Sequence, residues 1–371
     1  MEQTTLLFAA GTWSKTLPHG LDSPRTVLFV FGAPEYVNND APFADLRAAF
    51  PTSHIVGCST AGEILDRAVL DHSISVLVVR FDRTEIQTAY EAVTRDDSFE
   101  AGVRLSRAIA REGLRGCFVL SSGHDVNGSR LTEGLRSVLD RTPISGGLAG
   151  DGTRFGETWV LANGAPRAGL ACIVGFYGDA IRLGHGSKGG WDKFGPERRI
   201  TRSQANVLYE LDGRPALDLY KSYLGELASG LPATALLYPL AIRAPQEGSA
   251  QIVRTVLAHS ETDNSLTFAG DMPEGALAQL MRANFDRLVG AASDAASDAS
   301  SSDASACLAV SCVGRRLVLG ERAEEEIEAV SEVLSGCAVA GFYSYGEISP
   351  NGLGDCSLHN QTMTLTTFRE A

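Results

Sequence analysis

Short runs of apolar, β-branched and aromatic residues punctuate the chain, and they recur in a fixed order. The first, T-V-L-F-V-F at 26–31, precedes a segment with helical spacing at 42–50. Next come 54–56, G-C-S-T-A-G-E-I at 57–64 and a further apolar run at 74–81. Near the other end the order returns: 307–312, a helical pattern at 321–334, 338–348 ending in G-F-Y-S-Y-G-E-I, and 362–368. The helical pattern there carries acids in its first turn and sets Ile327, Val330 and Leu334 on one face. A more divergent copy lies between, with 117–121, 129–139, P-I-S-G-G-L-A-G-D at 143–151 and 170–177. Each copy reads strand, helix, strand, Gly-acid turn, strand. Its first three elements form a crossover between parallel strands, and the turn returns the chain antiparallel. The pattern predicts an α/β fold of mixed β-sheets flanked by helices, with Glu63, Asp151 and Glu347 at equivalent places.

The segment between the second and third copies differs in character. A strand at 207–211 ends in Asp212-Gly213, and Pro215 opens a helix at 216–224, where its missing N–H costs nothing. Short strands are expected at 236–242, 252–258 and 265–269, then a helix at 275–288. The tract 291–306 contains nothing apolar larger than Ala and reads as a solvated loop insertion whose shortening would change the melting temperature little.

Composition narrows the function. At 371 residues with 44% apolar and 21% charged content, the chain is long enough for two folded domains. Its formal charge of −13, with no local Lys/Arg cluster, disfavours nucleic acid and anionic membrane surfaces. An acid near the N-terminus and the lack of a long apolar run argue against a signal peptide and a membrane span, so a cytoplasmic location is expected. Seven cysteines, none in a C-x-x-C pattern, point to buried thiols.

The stretches G-C-S-T-A-G-E-I, P-I-S-G-G-L-A-G-D-G, N-V-L-Y-E-L-D-G-R-P-A-L at 206–217, G-F-Y-S-Y-G-E-I-S-P and L-H-N-Q-T-M-T-L at 358–365 together resemble the FIST family of bacterial signal-transduction sensors. The resemblance implies an N-terminal FIST domain at 1–200, a C-terminal one at 201–371, and a non-catalytic role in sensing a small ligand and reporting it to a partner such as a histidine kinase. The version R-L-G-H-G-S-K-G-G-W-D-K-F-G-P at 182–196 looks like the nitric-oxide-sensing haem subgroup, NosP.

That resemblance singles out His185 as the axial ligand of a haem, because neutral imidazole is a usual ligand of haem iron. Gly184 and Gly186 beside it would leave room for the porphyrin, and Trp191 and Phe194 would supply a flat apolar wall. The plainer reading makes His185 a loop histidine and the two aromatics core plugs. Ser59, Glu63, Tyr343, Tyr345 and Glu347 are candidates to line a ligand cavity between domains, with His359 and Asn360 before the last strand. The alternative is that the Gly-acid turns, and Gly62, Gly150 and Gly346 within them, are structural. A haem-free amino-acid or metabolite sensor is the second functional reading. Hydrolase or thiol chemistry at Cys58 and Ser59, with His124 and Asp125 as a base pair, is a weaker third.

Overall fold

In a computed structural model of the chain, all residues are described except Phe155, 247–250, 301–303 and 352–354, together with the side chains of Asn351 and Asp355. The three copies build three sheets around one apolar core. In the first, the parallel pair Thr26–Gly32 and His54–Ser59 is followed by Ile74–Arg80, which lies antiparallel beside Thr26–Gly32. The second has Leu114–Ser121, Ile144–Leu148 and Leu170–Tyr177 in the same arrangement, and the third Ala306–Cys312, Ala338–Ser344 and Met363–Glu370. Each gains one outer strand that the sequence pattern did not reveal: Glu2–Ala9, Glu85–Ala92 and Ile181–Lys188.

A hairpin leaves each copy after its second strand and joins another copy's sheet. Glu63–Leu65 pairs with Ala338–Ser344, Val160–Ala162 meets His54–Ser59, and Gly346–Asn351 pairs with Ile144–Leu148. The exchange is cyclic, so no copy completes its sheet alone. Side chains from all three, among them Phe29, Phe118, Leu308, Phe342 and Phe368, fill the shared core, and helices cover the outer faces. The third sheet joins Ile181–Lys188 to strands beyond residue 300.

One expected equivalence fails by a single residue. Matching backbone hydrogen bonds, Ala61 N to Tyr343 O at 2.8 Å, Gly150 N to Ser59 O at 3.0 Å and Tyr345 N to Leu148 O at 3.1 Å, make Ala61, Gly150 and Tyr345 the corresponding positions. Asp151 therefore matches Gly62 and Gly346, not the glutamates. Of the three turn glycines, Gly62 alone has a positive φ, +133°. Gly150 is kept small by crowding, since an added Cβ would lie 2.8 Å from Ala61 N.

Between Ile181–Lys188 and the rest of the third copy, residues 192–282 form a subdomain with its own core around Ile200, Leu217, Tyr220, Leu266 and Phe268. The expected helix at 275–288 is instead the strand Leu277–Arg282, claimed by pairing with Leu240–Arg243 on one side and Arg198–Gln204 on the other. The helix starts only at Phe285, where the Asn284 side chain accepts from Arg287 N at 3.3 Å.

The low-complexity tract is not a loop up to Ala299; residues 301–303 lie outside the described ones. Phe285–Ala299 is a helix whose Leu288, Ala291, Ala292, Ala295, Ala296 and Ala299 are buried, an i, i+3, i+4 stripe made of small residues. Small size is what the site requires. A Cβ on Gly186 would lie 1.9 Å from Ala295 O, and one on Gly184 2.2 Å from Ala299 O, so strand and helix backbones nearly touch. The space expected to admit a porphyrin beside these glycines is filled by this helix. Ala295→Leu is expected to cost about 1–3 kcal/mol through overpacking, read as a lower urea midpoint with an unchanged slope; an unaltered midpoint would contradict this packing.

Candidate functional site

The parallel strand pairs of all three copies end on the same side, where the ring of inter-copy hydrogen bonds gathers their loops. Crevices outside the carboxyl ends of parallel strands are natural ligand sites. Here the subdomain faces that end, and a cleft of about 200 Å³ lies along the seam.

The side of the cleft opposite the subdomain is built from S-S-G-H-D-V-N-G, which leaves the strand Leu114–Ser121 and starts the helix Gly128–Leu139. Asn127 caps that helix by accepting from Arg130 N at 3.1 Å, and its amide donates to Asp271 Oδ1 of the subdomain at 3.1 Å. Tyr345 projects from the third hairpin. Its hydroxyl donates to the Asp151 carboxylate and to Gly152 O, and His124 Nε2 lies 3.6 Å from Asp151 Oδ1. Burial pushes the Asp151 carboxyl up, but donation from Tyr345 and from the Gly156 and Glu157 amides, with the nearby His124, holds it below its ordinary range.

The cleft lining holds buried polar atoms that have no partner among the described residues. Asn360 is 1% exposed; its Nδ2 donates to Tyr345 O at 3.4 Å, which leaves Oδ1, an acceptor, unpaired. Thr255 Oγ1 from the subdomain is likewise buried and unpaired. An unsatisfied buried polar group costs about 1–3 kcal/mol, so these two atoms leave a penalty that no group of the described residues offsets. Leu236, Leu257 and Leu317 form an apolar rim, and exposed Arg95 stands at the mouth.

Arg254, on the strand Gln251–Arg254, crosses the seam beside this cleft. Its guanidinium is buried and donates to Leu358 O at 2.9 Å, Asp271 O at 3.3 Å and Ser129 Oγ at 3.4 Å. Burial lowers its pKa to about 10, the charges of Asp271 and Glu347 opposing the shift.

A second cavity, of about 420 Å³, opens on the other side of the same strand's end and is lined by His185, Trp191, Val253, Met281 and His359. Both ring nitrogens of His185 and Nε2 of His359 are buried and have no hydrogen-bond partner among the described residues. Burial lowers the pKa of each imidazole to about 4, assisted at His359 by the Arg254 charge. The turn His359-Asn360-Gln361 thus serves both cavities: His359 faces one and Asn360 the other, while Gln361 O accepts from Trp191 Nε1 at 2.9 Å.

The structure therefore sorts the sequence candidates. Tyr345 and Asn360 line the cleft, and His185, Gly186, Trp191 and His359 the second cavity. Gly184 is packed against the helix Phe285–Ala299, and Phe194 packs onto the subdomain core. Ser59 is buried and its Oγ accepts from Trp159 N at 3.0 Å, away from both cavities. The neighbouring Cys58 thiol is fully buried, which pushes its pKa well up. Tyr343 donates to Glu326 at 2.7 Å in the core.

Glu63 and Glu347 occupy matching cages. Glu63 accepts from Thr60 Oγ1 at 2.5 Å, Ser73 Oγ at 2.8 Å and Ser73 N at 3.1 Å. Glu347 accepts from Ser344 Oγ at 2.6 Å, Thr362 Oγ1 at 3.0 Å and Thr362 N at 3.1 Å. Glu347 lines neither cavity, and Glu63 backs a separate recess of about 270 Å³ beside Glu35 and His72.

Sequence reasoning missed Asn127, Arg254, Thr255 and Asp271. Asn127 had a local signal, an Asn immediately before a helical pattern; the three subdomain residues had none.

Three copies of one α/β unit and a subdomain thus meet at a seam cleft lined by buried, unpaired polar atoms among the described residues. The FIST N domain matches residues 26–214 and the FIST C domain residues 216–350, and the chain belongs to the FIST family. FIST domains are small-ligand sensory domains of signalling proteins. An uncharacterised protein of Methanocaldococcus jannaschii is 24% identical over 278 residues, 67% of this chain and 52% of its own length. The chain thus spans about half of that relative. Among solved structures, the cyanuric acid hydrolase of A. caulinodans is similar at 9% identity with a TM-score of 0.35, over 99% of this chain and 98% of that one. No helix among the described residues is long and apolar enough to cross a membrane.

Proposed function

We propose that this protein is a cytoplasmic, non-catalytic sensor that binds an amino acid or a similar small amino compound in the seam cleft and reports it to a signalling partner such as a histidine kinase. The observation that carries this reading is the unpaired, buried Asn360 Oδ1 opposite the subdomain's Thr255. Because Nδ2 is committed to Tyr345 O, the free atom accepts, and Asp271 adds a carboxylate nearby. A primary ammonium group suits those acceptors, a carboxylate suits Arg95, and an apolar side chain suits the leucine rim. A ligand touching both sides of the seam favours the closed arrangement of subdomain and three-copy body, which is a population shift that a partner can read. A panel of L-amino acids tests this by thermal shift. At a hundredfold excess over Kd, a true ligand stabilises by about 2.7 kcal/mol; a panel with no shift overturns the amino-compound reading.

A second reading, nitric oxide sensing through a haem on His185, is supported by the second cavity. Its volume falls within the roughly 300–1,000 Å³ of cofactor and ligand pockets. The His185 imidazole is neutral, buried and unpaired, which is the state that ligates iron, and Trp191 and Met281 add apolar wall. Against this reading, the helix Phe285–Ala299 closes the space beside Gly184 and Gly186, and Phe194 packs on the subdomain core. Bound haem would supply an iron centre for nitric oxide; the chain itself would supply the His185 imidazole. A Soret band in protein expressed with haem, lost in His185→Ala, is the expected result, and its absence in the wild type removes this reading.

A further inference from the structure

We propose that the second cavity, beside His185 and His359, is a binding site for a small, uncharged, hydroxyl-rich molecule, a monosaccharide or a cyclic polyol. The inference is independent of the amino-compound reading of the seam cleft, and it competes with haem for the same space. At about 420 Å³ against about 200 Å³, this cavity has about twice the volume of the cleft and admits a larger occupant.

The lining decides the class. Trp191, Val253 and Met281 belong to one packed cluster and give the cavity a single apolar patch. The rest is mainly polar: peptide groups of Gly186, Gly189 and Gly190, and the side chains of Ser187, Gln251 and Thr362. A flat macrocycle finds too little apolar surface here, and the helix Phe285–Ala299 closes the flank of His185. A sugar ring, with hydrogens on one face and hydroxyls around its edge, matches one apolar patch in a polar lining.

Charge points the same way. Lys188 and Asp298, the lining residues with formal charges, pair with each other at 2.6 Å. Burial keeps both imidazoles uncharged. An ionic occupant therefore meets no free counter-charge among the described lining residues, whereas a neutral one gives up only hydrogen bonds to water, which the lining replaces.

The unpaired nitrogens set what those bonds are. The Ser349 backbone holds the His359 ring through its other nitrogen, which leaves Nε2 as an acceptor. His185 has both nitrogens unpaired, and a neutral ring offers one donor and one acceptor. The two rings together thus ask an occupant for two donors and one acceptor. A hydroxyl is the group that donates and accepts through one uncharged atom.

The test is a thermal-shift panel of D-glucose, D-galactose, D-ribose and myo-inositol on the purified full chain, followed by calorimetric titration of the strongest stabiliser. Saturable binding to wild type is expected, weakened about twofold to tenfold in His359→Leu and at least as much in His185→Leu, because each variant removes hydrogen bonds of ordinary strength. Should a leucine variant fail to fold, the imidazole signals of the wild type in nuclear magnetic resonance serve instead: titration is expected to shift those of His185 and His359 and to leave the exposed His72 unchanged. No shift from any of the four compounds overturns the proposal, and so does equal stabilisation or equal affinity in wild type and both variants. Competition with the amino acid that best stabilises the chain would place the sugar in the seam cleft and overturn it. A Soret band on haemin addition that His185→Ala removes would give the cavity to haem and overturn it as well.

Discussion

Replacing Glu326 by alanine is expected to cost about 3–5 kcal/mol of stability. Glu326 and Arg315 are both 0% exposed and paired at 2.7 Å. The carboxylate also accepts from Ser311 Oγ at 2.9 Å and Tyr343 OH at 2.7 Å. Arg315 spends its remaining donors on Gly189 O at 2.6 Å and Leu288 O at 2.8 Å, tying the start of the subdomain connection and the helix Phe285–Ala299 to the third copy. Removing the carboxylate strands a guanidinium and two hydroxyls away from water. Replacing both members by apolar residues of similar volume, Arg315→Met with Glu326→Leu, should recover much of the loss, because an apolar pair has no charge to desolvate. Urea unfolding checks both; a loss below about 1 kcal/mol in the single variant would mean that this network is not closed.

The stabilising contribution of two buried glutamates is also expected to fall as pH rises from about 4.5 to about 7, opposite in sign to that of the buried His185 and His359 rings, whose pKa burial lowers. Burial raises the pKa of Glu63 and of Glu347 from 4.5 to about 7 in each case, against the lowering effect of their hydroxyl and amide donors. In that window these two carboxyls hold protons in the folded chain that they have released in the unfolded one. The contribution is therefore fully present below 4.5, shrinks as pH rises and is gone above 7. Per group, the difference between about 7 and 4.5 is worth about 3 kcal/mol. Glu347→Gln mimics the protonated carboxyl: its Oε1 accepts from Thr362 and its Nε2 donates to Ser344 Oγ. This variant should be more stable than wild type near pH 8 and similar near pH 4.5. Equal stability at both pH values would show that Glu347 is ionised in the folded chain.

The repeated unit was legible because its inner strands are buried on both faces and so read as unbroken apolar runs. The outer strand Ile181–Lys188 was not, since Gly184, His185 and Gly186 give it no such pattern. The helix Phe285–Ala299 was hidden by composition: Ser, Asp and Ala look like a solvated loop unless the spacing of the alanines is weighed above their size. The hairpin exchange leaves no local trace, as each hairpin's partner strand belongs to another copy. The Gly-acid turns misled in one respect, because Asp151 shares its sequence context with Glu63 and Glu347 but sits one backbone position away from them. In the candidate site, the turn 359–361 was visible as three adjacent polar residues. Thr255 and Asp271, which line the same cleft as Asn360, come from a subdomain whose contact with the three-copy body is set only by the fold.

The claim that the seam cleft binds the ligand is tested most directly by calorimetric titration of the strongest stabiliser from the amino-acid panel into wild type and Asn360→Leu. Leucine keeps the approximate shape of Asn360 and removes the unpaired acceptor. Affinity is predicted to fall about tenfold or more, since a hydrogen bond to a charged group is worth about 1.5–3 kcal/mol. The ligand-free variant should melt no lower than wild type, because the side chain's one weak bond, 3.4 Å to Tyr345 O, is lost together with a buried unsatisfied oxygen. Equal affinity in the two proteins would place the ligand elsewhere and contradict the account.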